Sequence, residues 1–293
     1  MELVSQLLQL FFSGLTVGSI YALIAIGFVA TYNVTGVLNF AQGEFAMFGA
    51  LTCISLVGFG MPLFAAVVCS ILIVTILGAV FERLAIHPAR RSSVPVMIII
   101  TIGASIALRG IGMMIWGTNP HTLPPFTKGE SIHLLHAVIL PQNLWAIGIA
   151  LASLVGMYVF FNKTYTGKAV TACVVNRYAA RLMGIHPEWM SLAAISVCAG
   201  LGALGGIVIA PISGATYNMG LMLGMKAFVA AVIGGLTNAP AAVVGAFIIG
   251  ILESFTAGLW TTGFQDAVSF AILLIVLFLL PNGIFSKSSG KRV

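Results

Sequence analysis

The sequence predicts an all-α membrane protein, a polytopic bundle of about eight or nine transmembrane helices, some of them discontinuous or re-entrant. Two observations carry this prediction. Of the 293 residues, 60% are hydrophobic and only 7% are charged, too few to cover the surface of a soluble domain. The basic residues behind the formal charge of +6 gather in short loops and at the end of the chain, so membrane topology accounts for them without a nucleic-acid partner. Residues 1–293 are therefore expected to form a single transmembrane domain.

The first apolar run extends from about residue 7 to residue 32. Its Gly14 and Gly18 have the GxxxG spacing that lets a second helix approach closely. No basic residue precedes the run and no clear cleavage site follows it, so we expect a retained span rather than a signal peptide.

The next segment, residues 33–44, is more polar than its apolar surroundings and includes Asn39, Gln42 and Glu44. Polar groups at membrane depth are tolerated where they face protein or water. This segment is therefore predicted to be a re-entrant or cavity-lining turn.

Two spans follow, at about 45–57 and 62–81, joined by a tight turn. The break after them contains Glu82, Arg83, His87, Arg90 and Arg91, and its positive charge marks the cytoplasmic side.

A fourth span, about 96–116, contains Arg109. We expect this arginine to snorkel toward the far interface; lining a pathway is the alternative. The proline-rich loop 117–141 lacks positive bias and is predicted to be external, and a fifth span follows at about 142–161.

The polar connector 162–189 has four Lys and Arg residues against one acidic residue, which predicts a cytoplasmic location. Its interior reads as one helix that Thr166 caps, that Gly184 closes in the left-handed conformation and that Pro187 prevents from continuing. At helical spacing its small residues share one face, and larger apolar residues lie opposite. Two such faces favour docking of a second surface; an ordinary connecting helix with exposed apolar residues is the alternative.

A sixth span, about 190–212, has a glycine-rich face. The apolar stretch 221–258 is too long for one span and contains the sequence GGLTNAP at its middle, which predicts two shortened helices meeting at that break. Lys226 and Glu253 lie on either side of the break. We leave open whether Glu44 and Glu253 face a pathway or hold helices together.

The last span, about 266–280, begins at Asp266, which we interpret as a charge at a helix N-terminus, and a basic tail follows it. Counting two crossings at the break places both basic loops and the tail on the cytoplasmic side, so nine crossings are preferred to eight.

Catalytic and metal-binding motifs are missing from the sequence. It has no P-loop, no HExxH and no GxSxG, and its four cysteines lack metal-ligand spacing. His133 and His136 share a possible helix face, but no carboxylate accompanies them. We therefore expect no metal and no enzymatic activity.

Long stretches of the chain closely resemble the permease subunits of bacterial ABC importers for branched-chain amino acids, the LivH type. The resemblance is carried by GLTVGSIYALIAIGF (14–28), GVLNFAQGEF (36–45), FERLAIHPAR (81–90), TGKAVTACVVNRYAARLMGI (166–185), the stretch PISGATYNMG to GILES (211–254) and DAVSFAILLIVLFLLPNGIF (266–285). It covers nearly the whole chain.

The resemblance implies a permease in the bacterial inner membrane that forms the pathway for hydrophobic amino acids. It implies as partners a second related permease or a second copy, two ATPase subunits that use ATP, and a periplasmic binding protein; this chain itself binds no cofactor. The connector would dock on an ATPase through Thr166, Gly167, Ala169, Ala172, Asn176, Ala179, Ala180 and Gly184. The candidate pathway residues are Asn39, Gln42, Glu44, Lys226, Gly234, Gly235, Asn238 and Glu253.

The sequence departs from the commoner family pattern at Gln42, at Asn238 and at Arg109. Related permeases handle urea, short amides and aromatic acids, so these cargoes remain alternatives. A further alternative, of a different class, is a self-sufficient ion-coupled carrier or channel that uses the break together with Glu44 or Glu253.

Overall fold

The computed structural model describes residues 2–90, 92–127, 129–130, 132–134, 137–280 and 283–284. The predictions for Arg91, for His136 and for the basic tail beyond Ile284 fall outside these residues. Within them the chain is a helical bundle, as the composition predicts.

Nine helices of the described chain have 15 or more residues, and seven helical stretches are long and apolar enough to cross a membrane. The long helices are α1 (Glu2–Thr35), α2 (Gln42–Gly58), α3 (Leu63–Phe81), α5 (Val94–Trp116), α6 (Pro141–Lys163), α9 (Pro187–Ser213), α10 (Met219–Gly234), α11 (Ala239–Leu259) and α12 (Gln265–Leu279). The short elements are a π-helical turn (Glu82–Ile86), α4 (His87–Ala89), α7 (Tyr165–Val175), α8 (Arg177–Leu182) and a 3-10 turn (Thr262–Phe264).

The centre of the bundle is α1, which packs against α11, α9 and α10. The predicted close approach at Gly14 and Gly18 is confirmed, because a Cβ atom at either position would collide with the backbone of α11. Gly250 of α11 is packed equally tightly against Gly18. Small residues on both helices let the backbones touch, which is how helices gain packing energy in a bilayer.

The glycine-rich face predicted for the sixth span is also confirmed. On α9, Gly206 abuts the backbone of Ala46 in α2, while Gly205 faces Ile24 in α1. Helix α9 therefore lies close to α1 and α2 at once and fixes the depth of the polar turn that joins them.

The predicted break in the long apolar stretch is present, but only α10, with 16 residues, is shortened; α11 has 21 residues and is long enough to span. Helix α10 ends at Gly234, Gly235 adopts the left-handed conformation (φ 96°), and α11 begins at Ala239. Leu236 is the one non-glycine residue with positive φ among the described residues (φ 53°), so the turn is confined to a few residues.

The outer loop contains an element that the sequence did not predict. Strands β1 (Ile132–Leu134) and β2 (Ala137–Ile139) form an antiparallel hairpin, so His133 lies on a strand and not on a helix. The Gln9 side chain of α1 bonds both the N–H and the C=O of Val138 in this hairpin, at 2.7 and 3.0 Å.

At the other end of α1, the Asn33 Nδ2 group donates to the Thr237 carbonyl in the turn before α11 (3.1 Å).

Candidate functional site

The connector between α6 and α9 is two helices, and the prediction of one continuous helix was wrong. Asn176 has extended backbone angles (φ −154°, ψ 101°), and its side chain accepts hydrogen bonds from the N–H groups of Tyr178 and Ala179. It therefore caps the start of α8, and the small-residue face predicted to run the length of the connector is interrupted here.

The other predicted ends of the connector helix fare differently. Thr164, not Thr166, caps α7, because its hydroxyl accepts from the Gly167 N–H at 3.0 Å. Gly184 does adopt the left-handed conformation (φ 79°), and Pro187 begins the next helix.

The predicted docking residues divide into two groups. Gly167 is buried because α7 packs directly on the end of α6, and Ala180 is 4% exposed, so neither can touch a partner. The remaining six are exposed or half-exposed: Thr166, Ala169, Ala172, Asn176, Ala179 and Gly184.

Large apolar side chains on the connector are exposed. Tyr165, Val175, Tyr178, Leu182 and Met183 are each 73% exposed or more. We call this set the connector apolar patch. An exposed apolar cluster of this kind on a polar, charged segment is typical of an interaction surface.

The connector is tied to the other basic segment through Glu188, at the start of α9. Its carboxylate lies 3.5 Å from both His87 of α4 and Arg181 of α8. The neighbouring Trp189 ring carries the Arg83 guanidinium at 4.7 Å from its centroid. Because the His87 and Arg83 contacts join the start of α9 to α4 and to the π-helical turn, the two predicted cytoplasmic segments form one surface.

A first buried polar centre surrounds Glu44, in the first turn of α2. Its Oε1 atom accepts from Ser105 and from Arg109 of α5, each at 2.9 Å. The expectation that Arg109 snorkels to the interface is wrong, because a carboxylate within reach pairs with it inside the bundle. The second oxygen of Glu44 has no protein partner and faces Gly220, at the start of α10.

The polar turn before α2 bonds to protein in part, since Asn39 Nδ2 and Gln42 Oε1 have no hydrogen-bond partner. The Phe40 N–H donates to Thr101, the Asn39 side chain accepts from the Ala41 N–H, and Gln42 donates to the Cys198 carbonyl of α9 at 2.8 Å. Asn39 and Gln42 are 2% and 0% exposed. Both side chains of this predicted re-entrant or cavity-lining turn are therefore enclosed by protein.

A second buried centre joins four helices around Lys226 of α10. Its ammonium group lies 3.1 Å from a Glu253 oxygen of α11 and 2.8 Å from Asp266 of α12. Glu253 also accepts hydrogen bonds from Tyr21 of α1 at 2.6 Å and from Ser269 of α12. Asp266 is at a helix N-terminus as predicted, but it is also an ion-pair partner.

A cavity of about 310 Å³ borders this second centre. Lys226, Glu253 and Tyr21 line it together with Ser13, Ser254 and Gln265. Because this cavity borders the charges of the second centre, a solute or water can reach them.

The break before α11 also lines a cavity. Asn238 caps α11 by accepting from the Ala241 N–H, and it borders an open groove of about 750 Å³ that α7 also lines. Gly234 is packed against Ala242, and a Cβ atom on Gly283 would collide with Gly235. The structure thus places Asn238 at a cavity and the two glycines at packing contacts.

Sequence reasoning missed Tyr21, Ser105 and Ser269, the hydroxyl partners of the two carboxylates. Each lies within an apolar helix, where a hydroxyl gives no signal of its own. A buried carboxylate needs hydrogen-bond donors, so partners of this kind are expected for Glu44 and Glu253. One sequence does not identify which residues they are. Within the described ranges, no group of three or more His, Cys, Asp or Glu side chains could hold a metal ion.

Comparison with known proteins places the chain in a family. Residues 10–277 match the family described as branched-chain amino acid transport system, permease component. The chain is 32% identical to the high-affinity branched-chain amino acid transport system permease protein LivH of Escherichia coli K12, over 98% of this chain and 97% of that protein. It is 30% identical to the corresponding BraD protein of Pseudomonas aeruginosa, over 98% of each.

Among solved structures, the chain resembles PsaBC from Streptococcus pneumoniae, determined in complex with a Fab, with a TM-score of 0.51 over 93% of this chain and 92% of that one. At 13% identity this likeness concerns the fold alone. The sequence match spans nearly the whole chain, and the helical architecture agrees with it. The chain belongs to the family of permease components of branched-chain amino acid transport systems.

Proposed function

We propose that this chain is the membrane-spanning permease subunit of a binding-protein-dependent ABC importer for branched-chain or other hydrophobic amino acids. The observation that carries the proposal is the family match over residues 10–277. Relatives named for branched-chain amino acid transport align with nearly the full chain, which supports the same cargo class here.

The protein is assigned to the bacterial inner membrane, with both basic segments and the C-terminal tail in the cytoplasm. The positive charge of these segments supports this orientation. The Glu188 contacts support it further, since they bring both basic segments to one surface.

The partners are two ATPase subunits, a second related permease or a second copy of this chain, and a periplasmic binding protein. The connector apolar patch supports the ATPase contact, because side chains such as Tyr165 and Tyr178 are 93% and 74% exposed. No cofactor is assigned to this chain itself, since ATP is used by the ATPase subunits.

In the mechanism, closure of the ATPase pair on ATP moves α7 and α8 together with their neighbours. Glu188 carries that movement to α4, and α7 carries it to the groove beside the break. Interrupted helices absorb such movements at their breaks, so the turn between α10 and α11 is where access would alternate.

The pathway residues are proposed at the Lys226 centre and at Asn238, because both border cavities. Asn39, Gln42 and Glu44 are assigned to holding the turn between α1 and α2 in place, since one polar atom of each side chain bonds to protein.

Reconstitution in proteoliposomes tests the proposal. The chain with its permease partner, both ATPase subunits and the binding protein should take up leucine only when ATP is present on the ATPase side. Uptake by the permeases alone without ATP would overturn the importer and favour an ion-coupled carrier. ATP-dependent uptake that is specific for urea, a short amide or an aromatic acid would support the importer but change its substrate class.

A further inference from the structure

An open groove lies where the C-terminal ends of α1 and α6 meet α7 and the turn before α11, and its volume is about 750 Å³. Its walls are mainly aliphatic. They include Val29, Val34, Leu154, Val155, Val170 and Val174. No helix of the described chain fills this groove, and Val155 is 61% exposed on its rim.

The groove has a polar end. Its polar lining residues come from the C-terminal ends of α1 and α6, from α7 and from the turn before α11, and they include Asn33, Asn162, Thr171 and Asn238. Leu154 lies eight residues before Asn162 on α6, which corresponds to a rise of about 12 Å. Half of the hydrocarbon core is about 15 Å thick, so the groove has the depth of one leaflet.

The charge around the polar end has one sign. Lys163 follows Asn162 at the end of α6, and Lys168 precedes Thr171 by three residues and so lies on the same side of α7. Both lysines are exposed. The sequence has no Asp or Glu in residues 29–41, 141–187 or 234–242, the segments that form the groove and its rim.

We propose that the groove binds one anionic phospholipid of the cytoplasmic leaflet, with an acyl chain along the aliphatic walls and the phosphate beside Lys163 and Lys168. The combination of an apolar wall, an amide-rich end and positive charge without a counter-charge fits this ligand and no soluble anion. The wall around Leu154 is at hydrocarbon depth, where a soluble ATPase does not reach. Assignment to the cytoplasmic leaflet rests on the orientation in the proposed function.

The lipid would touch α7, α1 and the turn before α11 at once. It would thus fill the space between the connector and the break, so its presence would determine how firmly these two elements move together. The lipid composition of the cytoplasmic leaflet would then regulate how strongly movement of the connector is transmitted to the break before α11.

The test uses the purified complex with its ATPase subunits, equilibrated in nanodiscs of equal phosphatidylglycerol and phosphatidylcholine. After release into detergent, native mass spectrometry should find phosphatidylglycerol retained preferentially. Each of Lys163→Ala and Lys168→Ala should weaken retention about 5-fold, and the double variant roughly 30-fold, since each lysine adds a comparable attraction to an anionic headgroup. Lys168→Arg keeps the charge and should retain the lipid.

The acyl-chain site has its own pair of variants. Val155→Trp places a bulky side chain on the groove wall and should abolish retention, whereas Ile76→Trp on α3, which is 64% exposed and outside the groove, should not. Unchanged thermal unfolding of each variant verifies the fold.

Equal retention of the two lipids, or retention unaffected by both lysine substitutions, would overturn the proposal. So would a Val155→Cys variant that crosslinks to a second permease or an ATPase, because the groove would then hold protein. Lipid retention is read without transport, so a failure of uptake with intact lipid binding would count against the proposed function alone.

Discussion

At the scale of single residues, the buried charges are explained by their partners. A carboxylate inside a bilayer is costly unless donors surround it. The Glu253 carboxylate accepts hydrogen bonds from Tyr21 and Ser269 and pairs with Lys226. Glu44 accepts from Ser105 and Arg109 on one oxygen only. The Lys226 centre is therefore the better satisfied of the two.

Removing only the cation of this centre should lower the free energy of unfolding more than removing both charges of the pair. Lys226→Met leaves Glu253 charged and 3% exposed, and breaking such a buried pair costs about 3–5 kcal/mol. Lys226→Met combined with Glu253→Gln should recover at least about 1 kcal/mol of that loss. Chemical denaturation in detergent measures the cycle, and simple additivity of the two substitutions would contradict the buried pairing.

The charge of Glu253 can be tested separately from its packing. Glu253→Gln has almost the same shape and can still accept from Tyr21, so the yield of the assembled complex should stay unchanged. If the cavity at Lys226 belongs to the pathway, uptake should fall by about tenfold, which corresponds to about 1.4 kcal/mol in the barrier. Thr256→Val, on the same helix but outside the lining of this cavity, serves as the control. A collapse in yield would instead assign Glu253 to bundle packing.

The intramembrane ionisable residues could be found from the sequence, but their partners could not. Lys226 and Glu253 stand out because charges are rare in apolar helices. Tyr21 is 232 positions from Glu253, and no local pattern connects them. The same limit explains the error at Arg109, whose partner Glu44 is 65 positions away.

At the scale of elements, the connector shows how one side chain can divide a helix. The spacing of small residues indicated a single helix, because Asn is only mildly unfavourable inside one. In the structure, the Asn176 side chain accepts from two backbone N–H groups and so starts a new helix. The spacing of small residues does not reveal that the Asn176 side chain competes with the helix for backbone N–H groups.

Asn176→Ala should loosen α8. Loss of an N-cap costs about 0.5–2 kcal/mol of helix stability. Amide hydrogens of Arg177–Leu182 should then exchange several-fold faster, while those of α9 should not change. Asn176→Asp retains the acceptor and is the matched control; unchanged exchange in Asn176→Ala would mean that α8 does not depend on its cap.

Ala179 and Ala180 should respond differently to enlargement. Ala179 is exposed, so Ala179→Trp should insert normally and reduce co-purification of the ATPase subunits several-fold. Ala180 is 4% exposed, so Ala180→Trp should disturb the connector itself. Co-purification measures the first effect and thermal unfolding the second. Full recovery of ATPase with Ala179→Trp would remove α8 from the docking surface.

At the scale of the whole molecule, the helical class and the discontinuity were predictable because bilayer thickness limits span length. The stretch 221–258 exceeded that limit and contained a glycine pair, so a break had to fall near Gly234 and Gly235. The β1–β2 hairpin was not predictable, since its three-residue strands depend on Gln9 for support from a distant helix.

The side of the membrane that the break faces can be measured. Nine crossings place Thr237 in the cytoplasm and Trp260 outside. In a background without the four native cysteines, a membrane-impermeant thiol reagent added to intact cells should label Trp260→Cys and spare Thr237→Cys. Inverted vesicles should give the opposite result. Labelling of Thr237→Cys in intact cells would reverse the topology.

Helix α1 is uninterrupted over 34 residues, about 51 Å, which is well beyond the thickness of a hydrocarbon core. Gln9 fastens one end to the β1–β2 hairpin, and Asn33 fastens the other to the Thr237 carbonyl. The hairpin and the turn before α11 are therefore connected through one continuous helix, with no break in the backbone between the two attachments.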